Sequence, residues 1–172
     1  MNAFCPKCGG ALEKRYVNAE MSNRQVCQDC GSILYRNSKP CVGVLALKGD
    51  RVLLVKRAIE PFKGCWDIPG GFLEEGEHPA HGAVRELQEE TGLIIDPVEV
   101  LGIYMDVYGA EEESTLNICY VARVIGGEPR VGSDAIDMNW FPILSLPRDI
   151  AFAWTKEALD LLRQKLVSFS SR

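Results

Sequence analysis

A chain of 172 residues is long enough for one ordinary domain and a small accessory module. Hydrophobic residues make up 47% and charged residues 25%, a globular balance, and no apolar run approaches the roughly 20 residues a membrane-spanning helix needs. The net charge of −5 argues against a general nucleic-acid surface and suits a site that collects cations. Residues 1–10 carry no apolar signal region, so a cytoplasmic protein is expected.

The first feature in chain order is a pair of knuckles, Cys5-Pro6-Lys7-Cys8 and Cys27-Gln28-Asp29-Cys30, separated by 18 residues. That spacing lies within the roughly 15–20 residues of four-cysteine zinc sites. Gly9-Gly10 and Gly31 follow the knuckles and permit the tight turns that aim two thiolates at one ion. A module of 37 residues buries too little surface to fold unaided, and bound zinc would supply the missing stability. Four thiolates complete a tetrahedron with no place for substrate, so Cys5, Cys8, Cys27 and Cys30 read as ligands of a structural ion. Disulfides and a thioredoxin-like redox motif are the alternatives. The odd total of seven cysteines weighs against the first, and the missing βαβ pattern against the second. Short strands are expected over residues 13–18, 24–26 and 33–36. Residues 1–37 thus form a zinc ribbon, and residues 38–172 a main domain that begins at the polar, proline-ended junction Asn37-Ser38-Lys39-Pro40. Cys41, Cys65 and Cys119 sit in apolar contexts and read as ordinary buried thiols.

In the main domain, residues 41–48 and 52–57 are β-branched and apolar, joined by the hairpin signal Gly49-Asp50. A loop over residues 59–66 leads to Asp67-Ile68-Pro69-Gly70-Gly71, where a sharp turn would bring bare backbone close to a ligand. Residues 78–90 are helix formers, and Gly92 stands where such a helix would stop. Ala83, Val84 and Leu87 recur on one side of that helix and can pack on a sheet, while Glu86, Glu89 and Glu90 share another face. Strand material over 94–108 is interrupted by Asp96-Pro97. Further strands cover 116–125 and 138–141, and an amphipathic helix covers 151–167. Strands around two helices indicate an α/β sandwich.

Three carboxylates on one face repel one another by roughly 0.2–0.5 kcal/mol per exposed pair. A hard divalent cation converts that repulsion into coordination, and Mg²⁺ suits a few carboxylates plus phosphate oxygens. A solvated helix face is the competing account. The segment from Gly71 to Leu93 reads glycine, five residues, Glu77, seven residues, then Arg85-Glu86-Leu87-Gln88-Glu89-Glu90-Thr91-Gly92-Leu93. It resembles the Nudix box, with every specified position filled. The resemblance implies the Nudix fold, an α/β/α sandwich with a mixed sheet, and Mg²⁺ (or Mn²⁺)-dependent hydrolysis of a nucleoside diphosphate linked to a second moiety. It also implies metal ligands at Glu86, Glu89 and Glu90 with the Gly70 carbonyl, and a general base at Glu89 or Glu86. Arg85 would hold a neighbouring carboxylate, and Glu77 would be a structural partner of the loop.

A four-cysteine ribbon ahead of a Nudix domain is similar to two groups, the NADH pyrophosphatases that also decap NAD-linked RNA, and enzymes of ADP-ribose and FAD. The NADH signature S-Q-P-W-P-F-P-x-S is absent after Leu93, and Leu146-Pro147-Arg148-Asp149-Ile150-Ala151-Phe152 looks more like the second group. ADP-ribose or FAD is therefore the expected substrate, with NADH or NAD-capped RNA as the alternative. A sensor that binds ADP-ribose without catalysis is another reading, and the full set of box carboxylates weighs against it. Asp134 and Asp137 precede Trp140-Phe141 where Nudix enzymes often recruit a further carboxylate, and Glu111-Glu112-Glu113 competes for that place. Solvated loops would explain either set. Lys56 or Arg57 could reach a phosphate, or form a surface ion pair. Phe72, Tyr104 and Tyr108 could stack on a base, although core packing is the commoner fate. His78 and His81 lack a metal-ligand pattern and receive no role. The expected partner is a small nucleotide substrate, with no membrane or nucleic acid, and the ribbon is a possible homodimer contact.

Overall fold

The structure, a computed structural model, describes residues 4–110 and 112–170, with side chains through 168. Residues 1–3, at the head of the stretch read for a signal region, and Glu111 of the acidic loop lie outside the described residues. The chain separates into two compact units, Met1–Asn37 and Ser38–Arg172.

In the first unit, β1 (Leu12–Val17) pairs antiparallel with β2 (Ser22–Cys27), and the two-residue β3 (Ile33–Leu34) adds to β2. A single 3-10 turn, Asn18–Glu20, joins the first two strands. It ends at Met21 with φ of 50°, so β1 stops one residue short of the expected Asn18. Among the described residues of this unit the buried apolar ones are Cys5, Val26 and Cys27, too few for a free-standing core.

The second unit is built on a seven-stranded sheet. Its strands are β4 (Lys39–Lys48), β5 (Arg51–Arg57), β6 (Trp66–Asp67), β7 (Gly70–Phe72), β8 (Leu93–Tyr108), β9 (Glu113–Gly127) and β10 (Ala135–Pro142). The main path runs β10-β5-β4-β9-β8; β4 and β9 are parallel and the other pairs antiparallel, so the sheet is mixed. Side chains alternate across it. Leu45, Val52, Leu54 and Cys119 meet Trp154, Ala158, Leu159 and Leu162 of α2 (Ala153–Ser170) on one face. Val44, Ala46, Leu53 and Tyr120 meet Ala83 and Leu87 of α1 (Pro79–Thr91) on the other. The layering is α/β/α, as the periodicities and the box together implied.

Divergence of one hairpin positions the site. Strands β4 and β5 pair only at Leu47↔Val52 and Lys48↔Arg51, then part. Into the gap come β6, alongside β5, and β7, paired with β4 through Cys41↔Phe72, Val42↔Gly71 and Gly43↔Gly70. Gly70 and Gly71 thus lie in a short strand and not in the sharp turn expected of them. Gly70 is required by close approach: a Cβ there would stand 2.1 Å from the Val42 carbonyl oxygen.

Two further expectations are corrected. Asp96-Pro97 does not interrupt β8, which continues to Tyr108 with a register shift between Pro97 and Glu99. An edge strand tolerates proline because a bulge absorbs the missing N–H. His78, given no role from sequence, is the N-cap of α1: its Nδ1 accepts the Ala80 N–H (3.2 Å), with Pro79 following. Gly92, in the left-handed region at φ of 70°, closes the helix as expected. Among the described residues no helix is long and apolar enough to cross a membrane.

Candidate active site

The four knuckle cysteines bring their Sγ atoms within 4.8 Å of one another, with Cys5–Cys30 at 3.8 Å and Cys8–Cys27 at 3.5 Å. A tetrahedron with Zn–S bonds of about 2.3 Å has sulfur–sulfur edges of about 3.8 Å. A disulfide would need about 2.05 Å, so these are four free thiols in a zinc-sized cluster. Among the described residues this is the one group of three or more metal-binding side chains whose ligand atoms converge so closely.

The box carboxylates are held apart. Arg85 binds three of the glutamates from the middle of α1. Its Nε and Nη2 each donate to Glu77 at 2.8 Å, and its Nη1 donates to Glu86 (2.8 Å) and Glu89 (3.3 Å). Nη2 also reaches the Phe72 carbonyl (3.2 Å), tying the helix to the end of β7. The paired guanidinium, helped by the Glu74 N–H, holds the Glu77 carboxyl down at about 2. Arg85 does hold its neighbours, and Glu77 is a structural partner of the loop through Glu74.

Glu86 and Glu90, one helical turn apart, line a single cavity of ≈ 270 Å³ with Gly70, Gly71, Arg57 and Asp134. Glu90 accepts the Gly70 N–H at 3.2 Å, and burial pushes its carboxyl up to about 8 against that bond. Burial also raises Glu86, with Arg85 opposing. Its carboxylate lies where a side chain on Gly71 would stand, 2.6 Å from an added Cβ. Glu89 is different: its side chain is 61% exposed and faces the outer side of α1 beside His81, Gln88 and Arg130. The shared face expected of three glutamates is therefore a pair in the cavity and a third on the outer side, because a 100° step per residue leaves i+3 off the line joining i and i+4.

Arg57 crosses from β5 into the same cavity. Its Nε donates to the Pro61 carbonyl (2.8 Å), Nη1 lies 3.5 Å from Asp67, and its guanidinium stacks 5.0 Å from the Phe152 ring centre. Nη2 is buried with no partner among the described residues. Asp67 is buried and accepts from Thr155 Oγ1 (2.8 Å) and the Ile68 N–H (2.9 Å). Burial pushes it up to about 6, opposed by Thr155 and Arg57. Lys56, the other cation considered, sits over the Trp66 ring at 5.7 Å instead.

Of the two added carboxylates, Asp134 lines the cavity, while Asp137 does not and accepts its neighbour's N–H at Met138. Glu113 pairs with Lys39 away from the cavity. Tyr108 and Phe72 line the cavity, whereas Tyr104 packs against the α2-side core. Cys119 is fully buried, Cys41 is buried on the wall of an adjoining cleft, and Cys65 is only partly buried. That cleft is also lined by Thr115, Asn117, Phe152 and Trp154, none of which the sequence singled out as site residues. The signal for Asn117 was available: a polar residue set among the apolar Leu116, Ile118 and Cys119 of β9.

For metals, the donor sets fit. Cys5, Cys8, Cys27 and Cys30 supply four soft sulfurs suited to zinc, and the glutamate cavity supplies hard oxygens suited to Mg²⁺ or Mn²⁺.

Comparison with known proteins agrees with this architecture. Residues 37–162 match the family model described as NUDIX domain, and residues 3–36 match the one described as Nudix N-terminal, a zinc ribbon. The chain is 38% identical over 132 residues to an ADP-ribose pyrophosphatase of Methanocaldococcus jannaschii, covering 77% of this chain and 78% of that protein. It is 30% identical over 149 residues to the NAD-capped RNA hydrolase NudC of Vibrio atlanticus, covering 86% of this chain but only 52% of that protein. A crystal structure of a NUDIX hydrolase from Nitrosomonas europaea superposes with a TM-score of 0.76 at 30% identity, over 91% of this chain and 87% of that one. With the box filled, its helix against a mixed sheet and a four-cysteine ribbon ahead of it, the chain belongs to the Nudix hydrolase family.

Proposed function

We propose that the protein hydrolyses the diphosphate bond of ADP-ribose or FAD, releasing AMP and a second phosphorylated product. The observation that carries this is the cavity in which Glu86, Glu90, Gly70 and Arg57 meet. Glu86 and Glu90, with the Gly70 carbonyl, would hold Mg²⁺ or Mn²⁺ in the cavity, and Glu89 would join them as a third ligand by swinging its exposed side chain inward. The bound cation would neutralise charge on the phosphoryl oxygens and acidify water. Glu86, on the cavity wall and raised by burial, is a better placed base for the attacking water than Glu89, which lies outside the cavity wall. The water oxygen bonds to one phosphorus as the bridging P–O bond breaks, and the departing phosphate carries the bridging oxygen away. Arg85 keeps Glu86 oriented, Arg57 offers its free Nη2 to a phosphate oxygen, and Asp134 is the added carboxylate. Likeness to the archaeal ADP-ribose pyrophosphatase supports the choice of substrate.

A second reading, hydrolysis of NADH or NAD-capped RNA, is favoured by the likeness to NudC, of whose length the chain spans about half. Residues 1–37 and 38–172 are taken as separate domains in a cytoplasmic enzyme, the first holding zinc and able to serve as a homodimer contact. Steady-state assays with ADP-ribose, FAD, NADH, NAD-capped RNA and nucleoside triphosphates plus Mg²⁺ test the whole assignment. ADP-ribose or FAD should show the highest kcat/KM, and Glu86→Gln should abolish it. A leading kcat/KM for NADH or capped RNA would favour the second reading, and tight ADP-ribose binding without turnover would favour a sensor.

A further inference from the structure

The cleft beside the glutamate cavity contains polar groups for which diphosphate hydrolysis has no use. It shares Arg57, Asp67, Gly70 and Tyr108 with that cavity and is narrow, ≈ 70 Å³. A water needs roughly 10–15 Å³ on such a scale, so the cleft admits the edge of a flat ring but no bulky group. Aromatic residues wall it. Tyr108 and Phe152 lie nearly parallel, 6.0 Å apart at 20°, and Phe72 meets Tyr108 edge-on at 5.4 Å.

Thr115 and Asn117 line this cleft from one face of β9, 3% and 4% exposed. Their amide and hydroxyl orient each other. Asn117 Nδ2 donates to Thr115 Oγ1 (3.0 Å) and points toward the Tyr104 carbonyl oxygen (3.5 Å). A carbonyl can only accept, so the nitrogen belongs on that side and Oδ1 is turned away from it. No donor among the described residues reaches Oδ1. Thr115 Oγ1 is already an acceptor, which leaves its hydroxyl hydrogen without a partner among the described residues. The cleft thus presents an acceptor beside a donor, carried by two residues that are themselves almost fully buried.

We infer that this cleft is a base-reading subsite for adenine: Asn117 Oδ1 accepts from the exocyclic amine, Thr115 donates to the neighbouring ring nitrogen, and the ring rests against the aromatic walls. The inference rests on the reading that the glutamate cavity holds the diphosphate, since the two spaces adjoin at Arg57. A base tethered through its ribose to that diphosphate cannot slide to exchange the two positions. Hypoxanthine, which carries a carbonyl in place of the amine, would set oxygen against oxygen at Asn117.

The test is direct binding of AMP and IMP to the metal-loaded protein by isothermal titration, with Asn117→Leu as the variant that keeps volume and removes the acceptor. AMP should bind about tenfold or more tightly than IMP, and Asn117→Leu should erase that preference. Equal affinity of wild type for the two nucleotides, no binding of either, or a preference untouched by Asn117→Leu would overturn the subsite. Should that variant fail to fold, the wild-type ratio and Thr115→Val, which loses the donor, decide the matter. Catalysis separates the two readings. Equal kcat/KM for ADP-ribose and its hypoxanthine analogue sinks the subsite alone. An AMP preference without hydrolysis of any diphosphate sinks the catalytic assignment alone.

Discussion

Arg57 and Glu77 show how single side chains in this site differ in what they contribute. The buried Nη2 of Arg57 has no partner among the described residues, so under the proposed function its cost in the free protein would become binding energy when a phosphate oxygen arrives. Arg57→Lys removes the fork and should raise KM for the diphosphate substrate roughly tenfold, as expected for one charged hydrogen bond of about 1.5 kcal/mol. Glu77 acts on stability instead. Its carboxyl sits at about 2 in the fold against an ordinary 4.5, so the unfolded chain binds the extra proton between those values. The Glu77–Arg85 pairing therefore stabilises the fold fully above pH 4.5 and is lost as pH falls through about 2. Glu77→Gln should lower Tm at pH 7, with the gap to wild type narrowing as melts are run toward pH 2–3.

At the scale of elements, the insertion of β7 beside β4 holds α1 to the sheet through Arg85 and the Phe72 carbonyl. Gly70→Ala would drive a Cβ to within 2.1 Å of the Val42 carbonyl, a backbone atom with little freedom to move. Urea melts should show a loss of about 1–3 kcal/mol or more. Gly126→Ala, whose Cβ would meet nothing within 4 Å, should lie within about 0.5 kcal/mol of wild type. Elements were well legible where the signal was local. The ends of α1 followed from Gly92 and a run of helix formers, and the β4–β5 hairpin from Gly49-Asp50. The parting of that hairpin was not legible, because it depends on β6 and β7 taking up the freed edges. Pro97 misled for a similar reason: its effect depends on whether its strand is an edge.

For the molecule as a whole, the ribbon's poverty of buried apolar residues among those described means that zinc, held by its four cysteines, would be the main source of order in residues 4–37. Elemental analysis should find one zinc per chain, reduced to near zero in Cys27→Ser. Chelation should abolish the ribbon's amide protection in hydrogen exchange while the larger unit retains its own.

What the sequence by itself determined is the chemistry that lives in spacing. Two knuckles 18 residues apart and a filled Nudix box are covalent facts, and each places its donors within a turn or a helix that short-range geometry already constrains. The tertiary structure decided which of those donors share a space. It put Glu86 and Glu90 in the cavity and Glu89 on the outer surface, brought Arg57 from β5 to meet them, and chose Asp134 over Asp137 as cavity lining. It also joined Asn117 of β9 to Phe152 and Trp154 near the start of α2. The physical reason is one of range. Ligand spacing along a helix or knuckle is set by a few dihedral angles, whereas a pocket's walls are set by sheet order and by the register of strands far apart in the chain.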